Sequence, residues 1–206
     1  MKLVIATQNP KKLKELKTLL NLPGVELICA LDLPDAPEIL EDGVDFHENA
    51  IKKAATLARL TKCWALGDDS GLEVDALNGA PGVHSARYAG EPVKYSANNK
   101  KLLHALLGES NRKARFRCVI ALASPDGEAR CVEGTCEGVI TEALRGRKGF
   151  GYDPLFQPTG YSQTFAEMDS AEKNLISHRG KALAQAKQAW GALLAKHPAG
   201  WSDHKA

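Results

Sequence analysis

The sequence predicts an α/β fold around a mixed β-sheet with flanking helices, and three observations carry that prediction. Residues 2–7, Lys-Leu-Val-Ile-Ala-Thr, are a short β-branched apolar run; a helical pattern follows at once, and a second apolar run occupies residues 25–29. Strand, helix and strand at that spacing make a βαβ unit. Further on, Cys63-Trp64-Ala65-Leu66-Gly67 is an apolar run bounded by glycine and reads as a buried strand. Residues 115–123 and 129–140 flank Pro125-Asp126-Gly127, a hairpin turn, so an antiparallel pair joins the parallel strands.

Each element has its own local signal. Asn9-Pro10 opens the first helix, since asparagine is favoured at the N-cap and proline at the first helical position; Leu13, Leu16, Leu19 and Leu20 follow at helical spacing until Gly24 ends it. Residues 33–41, with Pro34 and Pro37, form a loop. The second helix covers residues 45–61, with Asp45 and Glu48 in capping-box positions and an inner stripe of Phe46, Asn49, Ala50, Lys53, Leu57 and Leu60. A lysine on that stripe has two explanations: its stem covers apolar surface while the amine reaches water, or the amine points at an anion in a cleft. After the third strand, Asp68-Asp69-Ser70-Gly71 reads as a turn at the strand's carboxyl end, where open α/β sheets place their chemistry. Strand alternation lets one carboxylate face a cleft while the other braces the turn; the bland alternative is a tight turn whose side-chain oxygens only bond nearby amides. Residues 72–77 alternate into the turn-rich Asn78-Gly79-Ala80-Pro81-Gly82, residues 97–107 form a leucine-patterned packing helix, and residues 182–196 close the fold as a final helix. Residues 1–196 read as one domain, and residues 197–206 as a loose tail.

Composition narrows the function classes. With 206 residues, 44% hydrophobic and 25% charged, the chain has the make-up of an ordinary globular protein with a sizeable core. A net charge of +2 excludes general nucleic-acid or membrane-surface binding, so any anion site must be a local cluster. The first residues turn polar too early for a signal peptide, and no apolar run has the length of a membrane helix; the cytoplasm is the expected compartment. The 5 cysteines are odd in number, lack a C-x-x-C pair and read as reduced core thiols.

Four polar clusters sit at element ends. Thr7-Gln8-Asn9-Pro10-Lys11-Lys12 marks the passage from strand to helix, where free backbone amides, a hydroxyl, a carboxamide and lysines could cradle an anion; the alternative is a capped helix with a solvated basic turn. No G-x-x-x-x-G-K-[ST] phosphate loop occurs. Glu41 with Asn49 and Lys53 forms the second cluster, and Asp68-Asp69-Ser70 the third. Carboxylates from separate segments are what a magnesium ion requires. The fourth runs from Arg145 through Gly149-Phe150-Gly151-Tyr152-Asp153-Pro154 to Glu172-Lys173 and Ser177-His178-Arg179. Its aromatic faces can stack on a base and its polar groups can read the base edge; alternatively it is a glycine-rich surface hairpin with ordinary charges.

Taken together, Thr7-x-Asn9-x-x-Lys12, Glu41 followed by Phe46-x-Glu48-Asn49-Ala50-x-x-Lys53-Ala54, Asp68-Asp69-Ser70-Gly71-Leu72, Gly79-x-Pro81-Gly82-x-x-Ser85-Ala86-Arg87-Tyr88, Gly149-Phe150-Gly151-Tyr152-Asp153-Pro154-x-Phe156 and Glu172-Lys173-Asn174-x-x-Ser177-His178-Arg179 resemble the inosine/xanthosine triphosphate pyrophosphatase family. The match runs from the first strand to the last helix in the same order. Gln8 departs from the glycine that bacterial members often carry.

The resemblance implies an elongated mixed sheet with helices in two lobes and a central active-site cleft. It implies magnesium-dependent hydrolysis of the non-standard purine triphosphates ITP, dITP and XTP to the monophosphate and pyrophosphate, which cleanses the nucleotide pool. By matching motif, Asp69 is the general base with Lys53 beside it, and Glu41 and Asp69 are the metal ligands with Asp68 in support. Thr7, Gln8, Asn9, Pro10, Lys11 and Lys12, together with Lys53, hold the triphosphate, and Ser70 touches substrate. Phe150, Gly151, Tyr152, Asp153, Lys173, His178 and Arg179 form the nucleoside pocket. A homodimer is also implied. The related septum-inhibitor type of nucleotide pyrophosphatase is the nearest rival, and the intact Ser177-His178-Arg179 segment argues against it. A non-enzymatic nucleotide-binding regulator would gain nothing from an ionised Asp69 beside a triphosphate.

Overall fold

The computed structural model describes residues 2–33 and 36–195. Three of the apolar runs become parallel strands: β1 (Lys2–Ala6), β2 (Glu26–Cys29) and β3 (Trp64–Val74). β1 pairs with β2 on one side, Val4 opposite Ile28, and with β3 on the other, Val4 opposite Ala65. β4 (Lys113–Ala123) and β5 (Ala129–Ile140) meet at the expected turn, where Gly127 N donates to the Ser124 carbonyl and Ser124 N to that of Glu128. β6 (Phe156–Pro158) pairs antiparallel with β5, and the six strands follow the order β2-β1-β3-β4-β5-β6. The sheet is mixed, as expected.

The chain divides into two compact units, one of Met1–Asp69, Val119–Glu133 and Ala182–Ala206, the other of Ser70–Cys118 and Gly134–Lys181. In the first, helix α1 (Pro10–Leu20) buries Leu16 and Leu20, and helix α2 (Phe46–Thr61) buries Phe46, Ala50, Ala54, Leu57 and Ala58. In the second, helix α3 (Tyr95–Ala105) contributes Leu102 to a core with Leu72, Val74, Phe116, Phe156 and Phe165. Two helices, α4 (Ser170–Ile176) and α5 (His178–Ala195), end the described chain. No helix among the described residues is long and apolar enough to cross a membrane.

Several boundaries differ from the sequence expectation. The first helix ends at Leu20 with Asn21 as its cap, and Gly24 instead supplies positive φ in the turn beyond. Leu60 is exposed, because in its C-terminal half the buried arc of α2 turns toward Ala54 and Ala58. β3 does not stop at Gly67 but runs through Asp68 to Val74; lysines satisfy the two carboxylates and the Ser85 hydroxyl accepts the Leu72 N–H, so no turn is needed to pair these groups. α3 starts earlier than residue 97 and leaves Leu107 exposed beyond its end. The final helix begins at His178, not 182, and the Ser177 hydroxyl accepts the Gly180 N–H in its first turn. The tail from residue 197 lies outside the described residues.

One glycine sets the spacing of the first unit. A Cβ on Gly67 would lie 2.3 Å from the Ala50 carbonyl oxygen and 3.0 Å from Ala54 N, so the α2 backbone rests directly on β3. Gly67→Ala is expected to destabilise the chain by about 1–3 kcal/mol through overpacking. By contrast, Gly191 in α5 has nothing within 4 Å of its Cβ position, and Gly191→Ala should stabilise by about 0.5–1 kcal/mol through helix propensity. Urea unfolding of both variants checks the pair; equal effects would show that the close approach is not a constraint.

Candidate active site

In the first unit, β3 and α2 bring the acidic and basic side chains together. Successive residues of a strand point to opposite faces, so Asp68 and Asp69 take different partners. Lys12 Nζ, from the first turn of α1, donates to Asp68 Oδ1 at 2.8 Å, and the Asp68 side chain has no exposed surface. Asp69 faces α2, where Asn49 and Lys53 stand one turn apart. Lys53 Nζ donates to Asp69 Oδ1 at 2.9 Å and to Glu41 Oε1 at 2.6 Å. Asn49 Nδ2 donates to Asp69 Oδ2 at 3.3 Å, while its Oδ1 accepts the Gly43 N–H at 2.8 Å. Lys53 is buried and does not reach for water; its amine is fixed between two carboxylates.

The entry to α2 is fixed by a modified capping box. Asp45 Oδ1 accepts the Glu48 N–H at 2.8 Å, and Glu48 Oε2 accepts the N–H of Val44, one residue before the cap. This ties the segment after Glu41 to the first turn of the helix. Burial pushes the Asp69 carboxyl above the usual carboxylate range; the Lys53 and Lys12 charges oppose the shift, and the Glu41 charge adds to it.

The strand-to-helix passage is more fully engaged than the sequence suggests. Asn9 Oδ1 accepts the amides of Lys11 at 3.0 Å and Lys12 at 3.3 Å, and Thr7 Oγ1 accepts the Asn9 N–H at 3.2 Å. The amides expected to be free for an anion are therefore occupied by the cap. Thr7 is buried, Gln8, Pro10 and Lys11 are exposed, and proline has no N–H to offer.

In the second unit, Asp153 is the centre of a buried group. Its Oδ2 accepts the Phe150 N–H at 2.8 Å and Lys173 Nζ at 2.7 Å. Gly149 has φ +73°, and a Cβ there would overlap Asp153 Oδ2, so both the turn and the close approach require glycine. Lys173 Nζ lies 5.4 Å from the Phe150 ring centre, and Arg179 Cζ lies 6.0 Å from the same ring. Arg179 Nη2 donates to Ser70 Oγ at 2.8 Å. Ser70, Phe150, Asp153, Lys173 and Arg179 thus come together.

Two further residues of the expected pocket have partners of their own. The His178 ring stacks on Phe116, with centres 4.6 Å apart and planes 12° from parallel. The Tyr152 hydroxyl donates to the Ser85 carbonyl at 2.9 Å, and burial pushes its pKa upward. The glycine-rich surface hairpin is excluded, since Asp153, Lys173, His178 and Arg179 are all buried. Sequence reasoning also passed over Phe116, Asn98 and Asn99, which sit in runs whose leucine or β-branched pattern is fully explained by packing.

Glu41 and Asp69 suit a magnesium ion in kind, since that cation takes one or two carboxylate oxygens from protein and the rest from water and phosphate. Among the described residues no group of three or more His, Cys, Asp or Glu is arranged to hold a metal. Lys53 Nζ lies between those two carboxylates.

Known proteins resemble this chain over most of its length. A dITP/XTP pyrophosphatase of Desulforamulus reducens is 56% identical over 190 residues, covering 91% of this chain and 94% of that protein. A dITP/XTP pyrophosphatase of Desulfotalea psychrophila is 50% identical over 185 residues, covering 90% and 83%. The solved structure of a HAM1 protein from Coxiella burnetii superposes with a TM-score of 0.86 at 42% identity, covering 93% of this chain and 99% of that one. The Ham1 family model matches residues 3–189, and the chain belongs to the Ham1 family.

Proposed function

We propose that this chain is a nucleoside triphosphate pyrophosphatase that hydrolyses the non-standard purine triphosphates ITP, dITP and XTP to the monophosphate and pyrophosphate. The observation that carries the proposal is Asp69, a buried carboxylate with a raised pKa, pinned on both oxygens by Lys53 and Asn49. A carboxylate so held can take a proton from an attacking water at a defined place. The water attacks the α-phosphorus, and the pyrophosphate leaves in line. Lys12 and Lys53 bring positive charge to the triphosphate, exchanging carboxylate partners for phosphate oxygens. Thr7, Gln8, Asn9 and Lys11 border the same end of α1. A magnesium ion on Glu41 and Asp69 would supply further positive charge against the charge that develops on the phosphates.

The purine is taken by the second group. Phe150 offers a ring face, and Arg179 offers donors to a 6-keto oxygen, with Ser70, Asp153 and Lys173 holding these two in place. Gly151 and Tyr152 shape the loop, and His178 backs Arg179 from its stack on Phe116. The same reading takes two copies of the chain as the assembly and the cytoplasm as the compartment.

A substrate panel with product identification tests the function. ITP should give IMP and pyrophosphate in magnesium, with rates lost on chelation and restored by adding the metal back. Orthophosphate with a nucleoside diphosphate as first products would place the attack at the wrong phosphorus.

Asp69→Asn keeps the shape of the side chain and removes the base, so kcat should fall by about 10²–10⁴-fold. The same variant reports the raised pKa. Because the folded-state value is the higher one, the stability Asp69 contributes is present at acid pH and is lost as pH rises from the usual carboxylate range to the raised value. In metal-free protein the difference in unfolding free energy should therefore move in favour of Asp69→Asn across that interval; a flat difference would contradict the shift.

Discrimination against adenine should follow from Arg179, which can only donate, whereas adenine presents an amino donor at position 6. Wild-type kcat/KM for ITP over ATP should be on the order of 10⁴. Arg179→Ala should collapse that ratio, and a ratio left intact would remove Arg179 from base recognition.

A further inference from the structure

Helix α3 supplies none of the site residues expected from sequence, yet one of its faces is turned toward the segment that carries Phe150 to Asp153. Tyr95 and Asn99, at i and i+4, share that face. The Tyr95 ring centre lies 6.1 Å from that of Phe150, and Asn99 Nδ2 donates to the Gly151 carbonyl at 3.0 Å. Among the described residues this is the only side-chain bond of the buried Asn99 amide, whose Oδ1 has no partner there. The neighbouring Asn98 is fully engaged: Oδ1 accepts the Ala89 N–H at 2.7 Å, and Nδ2 donates to the carbonyls of Ala86 at 2.8 Å and Ser85 at 3.3 Å. The Ser85 carbonyl also accepts the Tyr152 hydroxyl. These contacts close a ring, from Asn99 to Gly151, along the chain to Tyr152, across to Ser85 and back through Asn98 to the helix.

We propose that Asn99 is a positioning residue for the nucleoside pocket, setting the presentation of Phe150 to a purine base by fixing the Gly151 carbonyl. The inference rests on the purine triphosphate reading above. Gly151 has φ +62° and no side chain, so its own backbone does not select one orientation of the peptide that follows. External bonds must do so. Asp153 holds the segment through the Phe150 N–H, on one side of Gly151, and Asn99 holds it through the Gly151 carbonyl. With either removed, the Phe150 ring loses its fixed place, and binding of the base weakens while the phosphate-binding lysines are untouched.

The test compares Asn99→Ala and Asn99→Asp with wild type in the full chain, reading KM and kcat for ITP, Ki for inorganic tripolyphosphate and the unfolding midpoint. KM for ITP is expected to rise about tenfold in Asn99→Ala, the scale of one lost buried hydrogen bond, with kcat and the tripolyphosphate Ki unchanged. Asn99→Asp preserves volume but faces the Gly151 carbonyl with an acceptor, so it should be impaired at least as much; a purely packing role would spare it. If the Asp variant does not fold, the Ala variant alone decides. Folded Asn99→Ala with an unchanged KM, or with KM and the tripolyphosphate Ki rising together, overturns the inference while a wild type active on ITP leaves the function standing. A wild type inactive on ITP overturns both.

Discussion

Direct contact of α2 with β3 at Gly67 is the constraint on which the first unit depends. A strand and a helix normally pack through side chains; here the Ala50 carbonyl occupies the space a Cβ would need. The helix backbone is therefore close enough for residues one turn apart, Asn49 and Lys53, to meet the next-but-one residue of the strand, Asp69. Alanine at positions 50, 54 and 58 continues the same close-fitting face, since a larger side chain there would lift the helix away. Sequence sets the distance through what is missing at Gly67, and the distance sets the chemistry.

That chemistry carries an electrostatic cost. Buried ion pairs lose hydration that their mutual attraction does not always return, so they are weak evidence for stability. Asp69 shows the cost directly: burial raises its pKa even with Lys53 at 2.9 Å. Glu41, Asp68 and Asp69 bring three carboxylates to two lysines, Lys12 and Lys53, in contacts of 2.6–2.9 Å. Hydrophobic residues would serve a purely structural role better. On the proposed function the cost has a use: both lysines can exchange a carboxylate for a phosphate oxygen, so that a triphosphate would meet charges already in place.

Much of the fold was legible because its signals are local. Asn9-Pro10 capped a helix as read, Asp45 and Glu48 capped the next, and residues 129–140 formed the strand with the expected ends. The misreading at the two aspartates has a plain cause, which is that a polar group was assumed to need a turn. Asp68 and Asp69 lie within β3 because lysines from other segments satisfy them, and Gly180 lies within α5, where its N–H donates to the Ser177 hydroxyl. Partners distant in the chain leave no periodic trace. Asn99 shows the same limit for the site, since its partner Gly151 is 52 positions away and its own helix reads as packing.

Buried Asp–Lys contacts occur at Asp68–Lys12, Asp69–Lys53 and Asp153–Lys173, and their surroundings separate the roles. Asp153 uses one oxygen for both Lys173 and the Phe150 amide, a task of holding a turn in shape. The Asp68 side chain is fully enclosed and anchors Lys12 at the start of α1. Asp69 shares its lysine with a second carboxylate, Glu41, whose side chain is 31% exposed and opens the group to solvent. A base needs a fixed carboxylate, a pKa drawn toward the working pH and a route for water and proton. On the proposed reading, Asp69 has the burial that supplies the second of these and, in Glu41, a neighbour that supplies the last.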